Sequence, residues 1–590
     1  MCLYSTIAKV VAVKIAALIS RIDFVSHRFI FPDVRTNMTN PCATLASNCI
    51  RDFFGPITQL VADCLQARGD WSTLNQVLSS ISSRAQTKFR TDERREIIAV
   101  SNLESMSSTG GPSPSAIRAA MLVLIQHSLV KIKKSTIRVS SKPKTVYYYQ
   151  FLPDRARILP RYPRFLEYTR KVLDETAAAV VEELLVQGRL RTVELIVYTV
   201  EHLQKSNSSP VSDKYTNRQT VLECFRRLVT SGFIEQVDPI ETEYDDDQAE
   251  GDLVEILQPA AKKRRVDHDL HPDDPAVESL LQNGNYKMFS KDSVWRVNVD
   301  FFNCHLRSLS LGYMVFEKYG HKAQSCGPMI TAALKAVAHK KYCSKIVGYE
   351  ENIFTAEDVK KHLPKPVIQN LEKRPGDVAT TIYKTLMEVT TFRDPPVLSL
   401  MEDGGGNKEG TKFCVLTSRL LSYLQERIVH QVVFDSHGEA AARICSILRK
   451  SGYMESDTIA EASMTPAKDT REVLHRLYRA NLISLFNINQ GKQHNPASMI
   501  YCWTVEPHRI KSTITDQVCN AFLNIRLRRQ HEEEIGSQWI ERAKDAGVTD
   551  ENENEADREN YEKFCKGLER LDNAALQLDE TLMALVDFNK

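Results

Sequence analysis

The sequence has 13 cysteines, but no two of them stand in a CxxC pair. Zinc sites of the ribbon and finger types need such closely spaced pairs, so the sequence does not predict one. The scattered spacing is also unlike a dense disulfide framework and is typical of reduced, mostly buried thiols. We therefore expect no metal centre and an intracellular location.

The sequence also lacks a long apolar run and an excess of either charge. No segment reaches the roughly 18 uninterrupted apolar residues that a membrane-spanning helix requires, so we expect a soluble protein with no membrane partner. The 77 basic and 75 acidic residues nearly cancel, so any nucleic-acid-binding surface has to be local. A length of 590 residues predicts about three to five domains.

Catalytic signatures are missing as well: there is no HExxH, GxSxG or protein-kinase motif. The stretch "GGGNKEGTK", residues 404–412, resembles a phosphate-binding loop. However, Thr411 separates Gly410 from Lys412, and strand-like residues follow where a helix is required, so a hairpin turn is the better interpretation. We predict no catalytic residue, no cofactor and no small-molecule substrate. Dispersed active sites leave no signature in one sequence, so this absence alone does not separate an enzyme from a binding protein.

The first residues, "MCLYSTIAKVVAVKIAALISRIDF", are apolar and basic and contain no acidic residue before Asp23. Lys9 and Lys14 interrupt the apolar run, which is too short and too charged to span a membrane. Three interpretations stay open: an additional amphipathic helix, a mistaken start upstream of Met38, and a mitochondrial-type presequence. We assign residues 1–40 to an N-terminal extension that is either disordered or not translated.

One phrase repeats along the chain: Leu, an apolar residue, two variable residues, then Ser, Gly or Asn, then two apolar residues. It occurs as "LIQHSLV" (124–130), "LVTSGFI" (228–234) and "LYRANLI" (477–483). Gly232 and Asn481 adopt positive φ at low cost, and Ser128 does so less readily. Each can therefore end a helix and reverse the chain into a strand.

The surroundings of this phrase predict a winged helix. Upstream of the phrase, apolar residues recur at helical spacing. Downstream, two segments with the alternation typical of strands flank a polar turn, most clearly in "VKIKKSTIRVSSKPKTVYYYQF" (130–151). A fourth copy, with the helix "VATTIYKTLMEV" and the hairpin "VLSLMEDGGGNKEGTKFCVL", has only the degenerate phrase "LMEVTTF". Leu-rich helix ends before strands also occur in other α/β and α+β proteins, but three copies in one context favour tandem winged helices.

The hairpin of the first copy is strongly basic. Between residues 131 and 150 there are six bases, no acids, and three consecutive tyrosines at 147–149. The bases are Lys131, Lys133, Lys134, Arg138, Lys142 and Lys144. Such a wing can lie along a phosphate backbone, so these residues are our candidate DNA-binding set. The alternatives are contact with an acidic protein partner or a purely solvated surface. A second basic cluster, "RARILPRYPRF" (155–165), follows directly.

The composition changes between about 238 and 290, where the acidic "ETEYDDDQAEGDL" precedes "PAAKKRRVDHDLHPDDP". Such a stretch buries too little apolar surface to offset the conformational entropy lost on folding, so we expect a disordered linker. It contains a candidate nuclear import signal, formed by Lys262, Lys263, Arg264 and Arg265. Four consecutive bases also occur on solvated loops. His268 and His271 lie among aspartates there, but their spacing matches no recognised metal-ligand pattern.

The C-terminus predicts a helical seam whose residues alternate steps of four and three. They are Phe564, Leu568, Leu571, Ala575, Leu578, Leu582 and Leu585. This spacing is typical of a coiled coil. The preceding "ITDQVCNAFLNIRLRRQHEEE" is also helical, so an antiparallel helical hairpin is one solution. A helix packed on the last winged helix would use the same seam, and both interpretations stay open.

Five segments together resemble the large winged-helix subunit of RNA polymerase III, which is related to TFIIE-alpha. They are "VLIQHSLV" (123–130), "RYPRF" (161–165), "VVEELLVQGRL" (180–190), "MTPAKDTREVLHRL" (464–477) and "LDNAALQLDETL" (571–582). The resemblance covers residues from about 42 to 588. It implies a mainly α protein with small β wings: four tandem winged helices and a C-terminal coiled coil.

The resemblance also implies a non-catalytic role in the nucleus. The family attaches to the RNA polymerase III core at the clamp of the largest subunit. It forms a stable trimer with two smaller subunits, contacts DNA and takes part in promoter opening and initiation for tRNA and 5S rRNA genes. Three features depart from the family pattern: residues 1–37, the stretch 82–111 that lengthens the first winged helix, and "TTFRDPPV" in the third.

We therefore predict the following order of domains after the extension. It is a first winged helix at 41–153, a second at 154–238, a linker at 239–290, a third winged helix at 291–420, a fourth at 421–510 and a helical hairpin at 511–590. The main alternative function is a free-standing tandem winged-helix regulator of transcription or chromatin. A proteasome-lid-like scaffold would place helical repeats before a single winged helix, and an enzyme would need a motif that we do not find.

Overall fold

The structure is a computed structural model. It describes residues 40–88, 112–139, 142–206, 214–237, 241–242, 293–319, 326–343, 353–373, 377–402, 411–489, 499–536 and 555–589. The chain divides into two compact units, Ala43–Val299 and Asp300–Lys590, and the second also includes the described residues before Ala43. Residues 1–39 of the predicted extension, the import signal and most of the predicted linker lie outside the described residues. In the described part of the chain, no helix is long and apolar enough to cross a bilayer.

The first unit begins with a helical bundle and a long hairpin. Its elements are α1 (Pro41–Phe54), α2 (Pro56–Arg68), β1 (Ser72–Thr73), α3 (Leu74–Lys88), α4 (Pro114–Gln126), β2 (Val130–Val139) and β3 (Lys142–Phe151). Strands β2 and β3 pair antiparallel over ten residue pairs, from Val130↔Phe151 to Val139↔Lys142. The helices enclose a core that includes Ile50, Val61, Leu65 and Leu124. The hairpin therefore projects from a helical base, as in a winged helix.

Helix α4 shows how the sequence sets its two ends. At its start, the Ser113 side chain accepts a hydrogen bond from the Ala116 amide at 3.2 Å, and Pro114 occupies the first turn, where it removes no intrahelical bond. At its end, Ser128 has φ 58°. The Leu129 amide donates to the Leu124 carbonyl at 2.9 Å, which closes the last turn and directs the chain into β2.

The same turn recurs at the other two copies of the repeated phrase. Gly232 has φ 83° and Asn481 has φ 56°. The Phe233 amide donates to the Leu228 carbonyl, and the Leu482 amide donates to the Leu477 carbonyl, each at 3.0 Å. The predicted left-handed helix ends at Ser128, Gly232 and Asn481 are thus confirmed.

The first unit continues with a second set of helices and a small sheet. The elements are α5 (Pro153–Ala156), a 3₁₀ turn (Leu159–Arg161), α6 (Tyr162–Val172), α7 (Glu175–Gln187), β4 (Leu190–Arg191), α8 (Thr192–Ser206), α9 (Lys214–Thr230), β5 (Ile234–Gln236), β6 (Glu241–Thr242) and β7 (Val294–Val297). Three of the strands form a sheet in the order β4-β7-β5. Strand β6 instead runs parallel to β2.

Strand β7 corrects the predicted boundary between the second and third winged helices. We assigned residues 291–420 to the third, yet β7 pairs antiparallel with both β4 and β5 of the second. The Trp295 indole N–H donates to the Thr192 hydroxyl at 3.0 Å, and its ring meets Phe225 edge-on at 5.2 Å. The second wing is therefore completed by a strand from beyond the linker, and its unit ends at Val299 rather than at residue 238.

The second unit contains two further helix-and-hairpin arrangements. The first has α10 (Val299–Tyr319), α11 (Gly327–Cys343), β8 (Ile353–Phe354), α12 (Ala356–His362), α13 (Lys365–Glu372), α14 (Val378–Thr390), β9 (Leu398–Glu402) and β10 (Lys412–Val415). Strands β9 and β10 pair antiparallel, so "GGGNKEGTK" connects a hairpin, although residues 403–410 lie outside the described part. Thr391, the residue after α14, has φ −78°, so this helix does not end in the left-handed turn seen at the three clear copies. This agrees with the degenerate phrase "LMEVTTF" at this position.

The next arrangement has α15 (Thr417–His437), α16 (Glu439–Ser451), α17 (Ser456–Ser463), α18 (Ala467–Arg479), β11 (Ser484–Asn489) and β12 (Met499–Thr504). Helix α18 buries Thr470, Val473, Leu474 and Leu477 on one face at three- and four-residue spacing. Strands β11 and β12 form a two-stranded wing of six residue pairs. The predicted fold class, mainly α with small β wings, is confirmed.

The chain ends with two long helices, α19 (Pro507–Ile535) and α20 (Glu555–Leu585). The Arg529 guanidinium pairs with Asp572 at 2.6 Å, and Gly536 lies against Phe564, so the two helices run antiparallel. The end of α20 also packs on α15, where Gln425 donates to the Ala584 carbonyl at 2.8 Å. The two interpretations of the seam are therefore both realised, one at each end of α20.

The seam residues follow this division. Leu578, Leu582 and Leu585 are buried at the end of α20 that packs on α15. The earlier positions are half-buried along α19, and they are Phe564, Leu568, Leu571 and Ala575.

Candidate nucleic-acid interface

Three of the six predicted basic residues lie at the end of the β2–β3 hairpin that is next to the helical core. Opposite residues are Lys131↔Gln150, Lys133↔Tyr148 and Lys134↔Tyr147. Because side chains alternate across a strand, Lys131 and Lys133 share one face, and Lys134 lies on the other. Lys131 is exposed, and Lys133 and Lys134 are half-exposed. These ammonium groups can reach solvent while their stems cover the sheet.

The other three bases lie toward the tip of the hairpin. The backbone register pairs Arg138 with Pro143, Lys142 with Val139, and Lys144 with Ile137. The structure brings all six predicted positions onto one two-stranded ribbon. Their assignment to DNA contact stays a prediction.

Aromatic side chains support the basic face. The Lys133 ammonium lies 6.0 Å from the centroid of the Trp71 ring, within the range of a cation–π interaction. On the opposite face, Tyr149 packs against the helical core, and burial, followed by the nearby Tyr147, raises its pKa. The tyrosines at 147–149 are thus divided between the core side and the open side of the wing.

One edge of this wing carries an acidic neighbour. Strand β6 pairs with β2 in the register Lys133↔Glu241 and Lys134↔Thr242. Glu241 begins the acidic stretch that the sequence places in the linker. The free edge of β2 is therefore covered at this level, and the face of the ribbon that is turned away from the helical core remains for a partner.

The second basic cluster, 155–165, is mainly structural. Arg161 is fully buried and Arg157 is 3% exposed. Arg157 lies 3.7 Å from Asp154. Charged groups are buried at such cost only with partners, so these two arginines hold the α5–α6 region together rather than offering a surface. The sequence shows only that these arginines are close together in the chain, because burial is not visible in composition.

The exposed face of α18, the helix before the last wing, has mixed charge. It carries Lys468, Asp469, Arg471, Glu472, Arg476 and Arg479. Arg471 pairs with Asp457 at 3.2 Å, and Arg476 donates to the His437 carbonyl at 3.1 Å. Compared with this helix, the β2–β3 hairpin, which has no acid between residues 131 and 150, is the stronger candidate for phosphate contact.

Two arginines from distant parts of the sequence lie close to the end of α4. Arg189 follows α7 and Arg296 lies in β7, and both lie near Ser128 at the end of α4. They are more than 100 positions apart, and neither belongs to a basic run, so no local signal marks them. Among the described residues, no group of His, Cys, Asp and Glu has the geometry to hold a metal ion.

The recurrent helix-to-hairpin units define a winged-helix protein. A family model described as "POLR3C, C-terminal winged-helix domain" matches residues 429–505, from α15 to the second strand of the last wing.

Comparison with curated proteins extends this match along the chain. The human "DNA-directed RNA polymerase III subunit RPC3" is 21% identical over 514 residues, which cover 81% of this chain and 90% of the human protein. The Danio rerio protein of the same name is 21% identical over 516 residues, with 80% and 89% covered. The Dictyostelium discoideum subunit rpc3 is 23% identical over 297 residues, with 50% and 43% covered. The resemblance found in the sequence is confirmed: the chain is similar along most of its length to RPC3.

Proposed function

We propose that the chain is a non-catalytic subunit of RNA polymerase III. The observation that carries this proposal is the similarity to RPC3 over 81% of the chain, together with the winged-helix architecture. The resemblance assigns nucleotide addition to the two largest polymerase subunits. In this proposal the present chain contributes binding surfaces, not reacting groups.

Within that enzyme, we propose attachment to the polymerase core at the clamp of the largest subunit and a stable trimer with the two smaller initiation subunits. The trimer would help to open promoters of tRNA and 5S rRNA genes. The location is the nucleus, and Lys262, Lys263, Arg264 and Arg265 are the proposed import signal. These finer roles come from the family resemblance, and the helical surfaces of both units are the regions available for such partners.

We further propose that the β2–β3 hairpin contacts the DNA backbone. Lys131, Lys133 and Lys134 lie on two faces of a ribbon that can follow a groove or a phosphate strand. Binding of this kind positions the protein without reading bases, and its strength falls steeply with salt.

Co-purification tests the subunit proposal. The tagged chain is isolated from its own cells at moderate salt, and the co-eluting proteins are identified by mass spectrometry. We expect the RNA polymerase III core, with the two smaller trimer subunits in near-equal amounts. Chromatin proteins without polymerase, or no partner at all, would contradict the proposal and favour a free-standing winged-helix regulator.

A charge-removing variant tests the wing separately. In Lys131→Gln/Lys133→Gln/Lys134→Gln, we expect weaker DNA binding. The slope of log K against log salt should become shallower by about one for each phosphate contact that is lost. The matched control is Lys171→Gln, which removes an exposed lysine of the same unit that pairs with Glu167. An unchanged slope in the triple variant would exclude these lysines from phosphate contact and leave the two alternatives, an acidic protein partner or a purely solvated surface.

A further inference from the structure

Two cysteines that are 477 positions apart in the sequence meet inside one compact unit. Cys42 is the second residue of α1, and Cys519 lies in the middle of α19. Both belong to the unit that contains Asp300–Lys590. Their Sγ atoms are 2.7 Å apart, and both are thiols. A disulfide bond is about 2.0 Å long, so an approach of roughly 0.7 Å separates this contact from a covalent one.

The two thiols differ in their access to solvent. Cys42 is half-buried, and its amide donates to the Asn40 side-chain oxygen at 3.0 Å, which orders the chain just before it. Cys519 is 0% exposed and shares the buried face of α19 with Val518 and Phe522. A small reagent in solution can therefore reach Cys42, whereas Cys519 is reached only through Cys42.

This arrangement combines an accessible thiol with a second thiol that can resolve its oxidation product. Protein thiols that respond to oxidants are accessible and often lie next to such a resolving cysteine. Because Cys519 is already in contact with Cys42, the step that forms the bond between them is intramolecular and has a high effective concentration. The pair is therefore arranged for rapid closure once Cys42 is oxidised.

We propose that Cys42 and Cys519 form a site of reversible oxidation. A small disulfide, such as glutathione disulfide, converts the two thiols into one intramolecular disulfide bond, and an excess of small thiol converts the bond back. The bond joins residue 42 to α19 within the same compact unit.

The oxidation proceeds by two thiol–disulfide exchanges. The Cys42 thiolate attacks one sulfur of glutathione disulfide, forms a mixed disulfide and releases one glutathione thiolate. The Cys519 thiolate then attacks the Cys42 sulfur and releases the second glutathione thiolate. The two protons lost by the cysteine thiols pass through water to the released glutathiones. The cysteine pair is thus oxidised by two electrons, and the glutathione disulfide is reduced by two electrons.

The test incubates the reduced full chain with glutathione disulfide, alkylates the remaining thiols and maps the unreduced peptides by mass spectrometry. We expect a peptide pair that joins Cys42 to Cys519, and dithiothreitol should remove it. Recovery of Cys42 only as a thiol or as a glutathione adduct would overturn the site. A linked pair that forms only in denaturant would overturn it as well.

Two variants separate the steps of the exchange. Cys519→Ala removes the resolving thiol, so Cys42 should accumulate as the mixed disulfide with glutathione, which the wild type does not retain. Cys42→Ser should leave Cys519 as an unmodified thiol, because Cys519 is 0% exposed. The matched control Cys565→Ser removes an exposed cysteine of α20 in the same unit and should form the same bond as the wild type. Equal amounts of adduct on Cys42 in the wild type and in Cys519→Ala would contradict the resolving role.

Circular dichroism and thermal unfolding show whether the bond forms in the native fold. The oxidised wild type should keep the spectrum of the reduced protein, and its unfolding midpoint should rise because a cross-link restricts the unfolded chain. The same treatment should not shift the midpoint of Cys42→Ser. A changed spectrum, or an equal shift in Cys42→Ser, would show that the bond does not belong to the native structure. If Cys519→Ala does not fold, this comparison with Cys42→Ser carries the test.

Discussion

At the residue scale, the fold depends on a few left-handed positions. Ser128, Gly232 and Asn481 each end a helix immediately before a wing, and their φ angles lie between 56° and 83°. This conformation costs free energy for a residue with a Cβ, and the cost is largest for β-branched side chains. Met464, with φ 52°, caps α17 in the same region without any sequence signal. Short phrases therefore identify a turn only where the residue type is itself permissive.

Asn481→Val should lower the local stability of the last winged helix by about 1 kcal/mol or more, because a β-branched residue is strained at positive φ. The measurement is hydrogen exchange over 467–504 in the full chain. Arg509 donates to the Asn481 side-chain oxygen at 3.0 Å, and both Asn481→Val and the control Asn481→Gly lose this hydrogen bond. Only the glycine variant adopts positive φ without strain. Equal protection in the Val and Gly variants would show that the left-handed turn is not what stabilises this domain.

At the element scale, the helical hairpin of α19 and α20 combines two kinds of contact along one seam. The first half of α20 faces α19, with the Arg529–Asp572 pair and the contact of Gly536 with Phe564. The last turn of α20 and the residues after it are buried on α15, where Met583 and Phe588 pack with Leu421. A regular seam fixes which residues face a neighbour, but it does not identify the neighbour, since any apolar surface satisfies the pattern.

Two glycines in this hairpin predict opposite effects on substitution by alanine. A Cβ at Gly567 meets nothing within 4 Å, so Gly567→Ala should stabilise α20 by about 1 kcal/mol through helix propensity. A Cβ at Gly536 would lie 2.2 Å from a ring carbon of Phe564, so Gly536→Ala should destabilise the hairpin by displacing that ring.

Thermal unfolding and exchange over 555–585 measure both variants against the wild type. The two substitutions add the same methyl group, so their difference reports the packing around it. A gain in protection for Gly536→Ala equal to that for Gly567→Ala would contradict the close approach of the two helices.

At the scale of the whole molecule, the first compact unit uses residues from both sides of the linker. Strand β7 lies between β4 and β5, and Trp295 is 5% exposed. The Asn298 side chain also donates to the Gly232 carbonyl at 2.9 Å, which ties the end of the linker to the left-handed turn of the second winged helix. The linker therefore connects two parts of one unit, not two independent halves.

A fragment of residues 43–299 should be more stable than one of residues 43–238 by roughly 3 kcal/mol or more, the cost of losing a buried tryptophan from a core. Chemical denaturation of both fragments measures the difference. In a control, residues 243–290 are replaced by a short Gly/Ser connection, which should keep the stability because loop closure depends weakly on length. Equal stability of the two fragments would show that β7 is not part of this unit.

The sequence by itself determined the winged-helix character, the wings, the left-handed helix ends and the C-terminal seam. These depend on local properties, namely the φ preference of Gly and Asn and the spacing of apolar residues. Tertiary structure alone decided that β7 completes the second wing and that Arg157 and Arg161 are buried. The physical reason is that strand pairing and burial depend on residues far apart in the chain, where no local pattern records them.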